Sequence, residues 1–187
     1  VALWLSRSLR AAFMASEGQW FVGGDFSNVE GRNNAWMAGE KWKCDAFRAY
    51  DAGTGPDLYK LAYAKSFGVS VESVQKGQRQ IGKVQELALG YQGSVGALIK
   101  MLASNGMKVC DLIGPVKEAT PPGTWALTAA QYRKARDKYG LNEDEWTAAK
   151  TIVNGWRGAH PRIVQSWWHL QDAALAAVER KGQLVQV

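Results

Sequence analysis

Three side chains in the stretch 78–93, QRQIGKVQELALGYQG, have the types and spacing to handle an anionic ligand: Arg79, Lys83 and Tyr91. In a helix turning roughly 100° per residue they advance, with Leu87, by about 40° at each step of four, so two cations and a ring share one side. Ile81, Val84 and Ala88 point the other way, toward a core. Such a stripe offers two fixed positive charges and an aromatic ring; a solvated face on an ordinary amphipathic helix has the same pattern. A second group lies upstream. Asp25 stands near the end of the apolar run 19–26, QWFVGGDF, and Glu30 follows shortly after it. A carboxylate in an apolar strand must pair, accept hydrogen bonds or bind a cation, so Asp25 is either a turn residue or a metal ligand. Glu30 has a structural alternative, because Ser27-Asn28-Val29-Glu30 fits a capping box with Ser27 as N-cap.

The elements that must hold these groups follow from periodicity and punctuation. Segment 19–26 is rich in aromatic and β-branched residues and predicts a buried strand. A helix follows it to Ala38 and stops at Gly39. Residues 40–50 predict a short helix, 58–67 a helix opened by Pro56-Asp57 and closed by Gly68, 78–89 the helix of the basic stripe, and 95–104 another. Three of the five prolines fall in 107–125, which reads as a loop or insertion. Thr128-x-x-Gln131 and Asn142-x-x-Glu145 resemble helix starts, giving helices near 129–139 and 143–157, and His160-Pro161 starts a last one to about 181. Residues 183–187 begin a strand. At the N-terminus, Arg7 and Arg10 give the segment 1–16 a basic edge. The chain is mainly α with a small β component, an α+β class.

Composition narrows the partners. The chain has 187 residues, 47% of them hydrophobic, so it can bury a core, and 23 Lys+Arg against 17 Asp+Glu leave a net charge of +6 that favours an anionic partner such as nucleic acid or nucleotide phosphate. Cys44 and Cys110, with only His160 and His169 as co-ligands, predict reduced thiols and no metal cluster. There is no membrane-length apolar run and no signal-peptide pattern, so a cytoplasmic protein without membrane contact is expected. A start at Val1 suggests a piece of a longer protein. Oligomeric state is left open.

In combination, Asp25, Ser27, Glu30 and Arg32 after a strand resemble motif A of the family A DNA polymerases, the class of bacterial DNA polymerase I, and Arg79-x3-Lys83-x7-Tyr91 resembles motif B, the fingers helix of that family. Asp57-Leu58-Tyr59 lies where the family has Asp-Ile-His. The wording AWMAGE after motif A and ELALGYQGSVGAL around motif B looks most like the phage and prophage branch. The resemblance implies a partial palm at 1–39, helical fingers at 40–158 with motif B at 78–91 and the irregular segment at 107–125, and a helix at 159–187 returning to the palm. It implies template-directed DNA synthesis from dNTP on a DNA primer-template with Mg2+ as cofactor. Asp25 would be a catalytic metal ligand with the Phe26 carbonyl as a second. Arg79 and Lys83 would grip the triphosphate, Lys83 as a catalytic residue too through its charge on the transferring phosphates, with Tyr59 in the place of a phosphate-binding histidine. Tyr91 would abut the nascent base pair, and Glu30 would exclude a ribose 2′-hydroxyl. All of these should face one cleft.

The sequence departs from the family at Gln80, Leu87, Ala88, Tyr59 and Gln92, where a second arginine, an aromatic, a glycine, the histidine and a glycine are usual. The His-Asp-Glu of motif C does not occur in these 187 residues. The alternative is a basic helical nucleic-acid-binding module without catalysis, or a structural helical domain without a ligand; a binding module has no use for Asp25 beside Glu30. The expectation is that this chain by itself does not extend a primer, and template-directed dNTP incorporation by the purified chain is the measurement that overturns it.

Overall fold

The computed structural model describes residues 8, 9 and 12–185; Arg7 and Arg10 lie outside them. The last described helix-free stretch, 183–185, is not a strand, and the rest of the strand expected at 183–187 lies outside as well. Among the described residues the structure is all-helical. In chain order the helices are α1 (Val29–Ala38), α2 (Lys41–Asp51), α3 (Leu58–Phe67), α4 (Lys76–Leu89), α5 (Val95–Ser104), a 3-10 turn (Val109–Leu112), α6 (Ile113–Ala119), α7 (Pro122–Gln131), a second 3-10 turn (Tyr132–Lys134), α8 (Glu143–Ala159) and α9 (Pro161–Glu179). None of them is long and apolar enough to cross a membrane.

The α+β expectation is therefore corrected: the described residues contain no strand and no sheet, and the palm strand read into 19–26 is an extended segment without strand pairing. The physical reason lies in its surroundings. Trp20, Val22 and Phe26 are 90%, 96% and 82% exposed, so their β propensity meets no pleated partner. A lone strand leaves its backbone N–H and C=O groups to water and gains nothing by ordering.

The core is organised around α8. Trp146, Ala148, Ala149, Ile152, Val153 and Trp156 are all buried and cover an arc of about 160°, which the buried Thr147 and Thr151 widen further, as a helix enclosed on several sides requires. It starts as its sequence predicts: Asn142 Oδ1 accepts from the Glu145 N–H and Glu145 Oε2 accepts from the Asn142 N–H, both at 3.0 Å. α3, α4, α5, α6 and α7 pack against it. Segment 107–125 is not a loop. Pro122 is the first residue of α7, Pro121 its N-cap, and Pro115 stands in the first turn of α6, positions where a missing N–H leaves no helical bond unmade. Thr128 is inside α7 rather than at a helix start, and its hydroxyl donates to the Thr124 carbonyl.

Two glycine contacts fix how closely the helices approach. A Cβ on Gly82 of α4 would collide with the Tyr59 carbonyl of α3, and one on Gly155 of α8 would stand 2.5 Å from the Ser66 carbonyl. α3 is thus pinned between the helix of the basic stripe and the central helix. Gly82→Ala is expected to lower stability by about 1–3 kcal/mol, the usual cost of overpacking, because backbone rather than a flexible side chain blocks the methyl. Urea unfolding of the two proteins measures it.

Candidate functional site

α4 presents the faces its sequence predicts. Ile81, Val84 and Ala88 are buried, joined by Gly82, Gln85 and Leu89, while Arg79 and Lys83 are half-buried and Leu87 is exposed on the other side. The helix begins two residues earlier than expected, at Lys76, where Gln78 Oε1 accepts from the Gln75 N–H at 2.8 Å.

Arg79 is engaged in the structure. Its Nε and Nη2 both reach Oδ2 of Asp57 at 2.9 Å. Asp57 is at the same time the N-cap of α3, its Oδ1 accepting from the N–H groups of Tyr59 and Lys60 at 3.0 Å. Burial acts to raise the Asp57 carboxyl, but the Arg79 guanidinium and the two backbone donors outweigh it and hold it below the usual range. The guanidinium lies over the Tyr59 ring at 5.3 Å, so Arg79 and Tyr59 are brought together. The Tyr59 hydroxyl is pushed up, chiefly by burial. Lys83, one turn on, has no hydrogen bond or ion pair to any described residue and remains an unneutralised cation beside this pair.

The upstream group sits differently from its prediction. The N-cap of α1 is Asn28, at φ 53, and no side chain caps the helix. Ser27 instead gives its carbonyl to Arg32 Nε at 2.9 Å, and the Arg32 guanidinium makes a two-point pair with Asp51 at 2.6 and 2.7 Å across to α2. The capping box is therefore corrected, and Glu30 is an exposed carboxylate in the first turn with no structural task among the described residues. One turn further along α1, Asn34 Nδ2 donates to the Gly90 carbonyl at 2.6 Å. That bond places the helix carrying Glu30 against the bend carrying Tyr91, whose ring is 65% exposed.

Asp25 is exposed and makes no hydrogen bond or ion pair with any described residue; the Phe26 carbonyl accepts from the Val29 N–H at 3.3 Å. Magnesium takes one or two carboxylates and completes its octahedron with phosphate and water. A single exposed carboxylate beside an engaged carbonyl is too little to hold such an ion, and no group of three acidic, His or Cys side chains among the described residues makes a metal site. The residues present do not fit the ion on their own, and no chemical step is routed through it here.

A buried cluster behind α4 escaped sequence reading. Glu86, three residues after Lys83, pairs through Oε2 with the Lys43 ammonium of α2 and accepts from Trp156 Nε1 at 2.7 Å through Oε1. His160 completes it. Its Nδ1 lies 2.7 Å from the Trp156 carbonyl, which can only accept, so that nitrogen carries the proton and Nε2 accepts from Lys43 at 3.1 Å. The imidazole stacks on Trp156 with centroids 4.0 Å apart. Glu40 makes a related long-range bond, accepting from the Arg162 and Ile163 N–H groups at 2.9 and 3.3 Å and capping α9 from across the chain. His160 is the N-cap residue expected from His160-Pro161, but the capping side chain is Glu40. The legible signal was Lys43 four residues before Phe47, a charge on the buried face of a helix.

No family model matches the chain. It is 37% identical over 185 residues to a DNA polymerase of Bacillus phage SP02, an alignment that takes in 97% of this chain and 22% of that protein. It is 32% identical over 96 residues to the DNA polymerase I of Chloroflexus aurantiacus and 33% over 96 residues to that of Pseudomonas aeruginosa, each covering 51% of the chain and 10% of the relative. The chain thus spans about a fifth of the length of the phage relative and about a tenth of the bacterial ones.

The cluster makes stability depend on pH in a stated direction. Burial, and after it the Lys43 charge, push the His160 imidazole down to about 4, with Glu86 opposing them. Between the ordinary value of 6.5 and about 4 the unfolded chain binds a proton that the folded chain does not. Stability from this group is therefore full above about pH 6.5 and falls as the pH drops, by up to about 3 kcal/mol at 1.36 kcal/mol per pH unit. Burial alone would raise the Glu86 carboxyl, but Lys43, His160 and Trp156 hold it below the usual range, so its contribution is lost in the same direction at lower pH. Equilibrium unfolding from pH 7 to pH 4 is expected to show the decline, with a shallower slope in His160→Gln.

Proposed function

This chain is a homologue of the family A DNA polymerases in their phage branch, matching over most of its length, and we propose that its helical body is a module for binding nucleic acid and nucleotide within such a polymerase, non-catalytic by itself. The observation that carries the reading is the arrangement on α4: Arg79 and Lys83 share one face of a helix whose other face is buried, and the helix ends in an exposed Tyr91 beside the helix of Glu30. Two cations one turn apart match adjacent phosphates of a triphosphate, and a ring at the helix end matches a base plane. The net charge of +6 adds long-range attraction for the same ligands.

Within that reading Lys83 is the primary phosphate ligand, since it has no acidic partner among the described residues to surrender. Arg79 joins when the ligand's charge draws it from Asp57, an exchange of one carboxylate for several phosphate oxygens. Tyr59 supports the guanidinium from below and takes over part of the phosphate-binding role. Glu30, exposed and without a capping role, lies on the helix that borders the Tyr91 bend, where a sugar attached to the stacked base would sit. Asp25 would serve nucleotidyl transfer on a DNA primer-template only in company with further carboxylates. Template-directed DNA synthesis from dNTP, with Mg2+, is thus proposed for a complete polymerase of this family, and phosphate and base binding for the module itself.

The test is equilibrium binding of a dNTP and of a primer-template to the purified chain across a salt series. Lys83→Ala is expected to weaken dNTP binding by about tenfold, the worth of one charge-assisted bond, and to reduce the salt slope by about one ion. Asp57→Asn keeps an oxygen to cap α3 but frees Arg79, and is expected to tighten binding several-fold. Unchanged affinity in both variants rejects the reading.

A further inference from the structure

The bend after α4 is held in a way the nucleotide-binding reading does not require. Gly90 continues the helical conformation, Gln92 then takes φ 59, and Gly93 comes so close to α4 that a Cβ on it would collide with the Ala88 carbonyl and stand 3.1 Å from the Ala97 Cβ of α5. The bend occupies residues 90–93 and carries Tyr91. The Tyr91 side chain makes no hydrogen bond and no ring contact with any described residue, so the backbone of the bend sets where its Cα–Cβ bond points and the ring turns about that bond.

Two side chains from distant parts of the sequence seize that backbone. Asn34 of α1 donates to the carbonyl of Gly90 at 2.6 Å, and Arg157 of α8 donates through Nη2 to the carbonyl of Gly93 at 3.0 Å. These are the carbonyls on either side of Tyr91-Gln92. Arg157 has no acidic partner among the described residues. Its guanidinium lies 5.7 Å from the Trp167 ring, its Nε is buried without a partner, and its one hydrogen bond to a described residue is the one to Gly93. A half-buried arginine that forgoes an ion pair in order to hold one carbonyl is spent on the position of that carbonyl.

We propose that Asn34 and Arg157 are positioning residues for Tyr91: by fixing the two carbonyls that bracket it, they hold the Cα–Cβ bond from which the exposed ring projects, so that the ring reaches a correctly paired base and not a displaced, mispaired one. The structural half of the proposal stands on the bend alone, and the functional half rests on the nucleotide-binding reading above. Arg79 and Lys83 supply affinity for phosphate; Asn34, Arg157 and Tyr91 supply discrimination. Loss of a clamp leaves phosphate binding intact and frees the ring.

Asn34→Asp preserves size and removes the donor, and Arg157→Met preserves a stem to pack on Trp167 and removes the guanidinium. In the purified chain, both variants are expected to exchange the amides of residues 91–93 about tenfold faster. They should bind inorganic triphosphate, which has no base to stack, as tightly as the parent. In a complex with primer-template, preference for the paired over the mispaired dNTP should fall by roughly three- to tenfold in Asn34→Asp, the worth of one neutral hydrogen bond, and by at least as much in Arg157→Met, whose bond is charge-assisted. In a Tyr91→Ala background the same substitutions should change that preference no further. Unchanged exchange overturns the clamp, and a loss of preference that persists without Tyr91 overturns its role in aiming the ring. A parent chain that binds no nucleotide removes the nucleotide-binding reading and the functional half with it, while exchange still decides the structural half. If Arg157→Met does not fold, the half-buried Asn34 carries both measurements alone.

Discussion

The Lys43 ammonium and the Glu86 carboxylate are sealed together at 7% and 5% side-chain exposure, and the fold around the basic helix depends on their meeting. Each charge alone in that place would cost several kcal/mol, and removing one partner from such a pair typically costs about 3–5 kcal/mol. The pair can exist only if α2, α4 and the junction of α8 with α9 arrive together, because Trp156 and His160 supply the remaining partners. Contacts between apolar side chains tolerate sliding; this cluster does not. Glu86 stands one turn from Lys83, so the buried partner of α2 fixes the rotation of α4 about its axis and thereby the direction in which the exposed cations face.

Much of the helical layout was legible because the signals are local. Gly39 and Gly68 end α1 and α3 at φ 66 and 68, and Asn142 with Glu145 opens α8. The two faces of α4 follow from spacing alone. The misreadings share one cause, dependence on neighbours that local sequence does not name. Trp20, Phe21 and Val22 have the composition of a strand, but a strand exists only with a second one beside it. Ser27 and Glu30 have the spacing of a capping box, yet Arg32 takes the Ser27 carbonyl while it bridges to Asp51 and Asn28 becomes the cap. In 107–125 the prolines suggested a loop because their count was weighed without their register.

Arg79 and Lys83 are legible as cations on one face of α4, whereas Tyr91, expected on the same helical stripe, stands in the bend two residues past the last residue of the helix. Their surroundings were not legible. Asp57 was readable as the start of α3 but not as the counter-ion of Arg79, and neither Asn34 nor Arg157 carries any mark of its bond to a distant carbonyl. Gln92 is informative in retrospect. Its φ of 59 explains why glycine is usual after the motif B tyrosine, and why this chain must hold the bend from outside.

The double duty of Asp57 bears on what the site ignores. A cation that carries its own counter-ion presents little field to the solution, so a chloride or a lone carboxylate gains almost nothing by approaching it. Only a ligand with several negative charges on neighbouring atoms can outbid the aspartate while also engaging Lys83. Releasing Arg79 leaves Asp57 with its two backbone donors still in place, so the helix cap survives the exchange. In the proposed binding role the Arg79–Asp57 pair would act as a threshold on charge density, set by an aspartate that also caps α3.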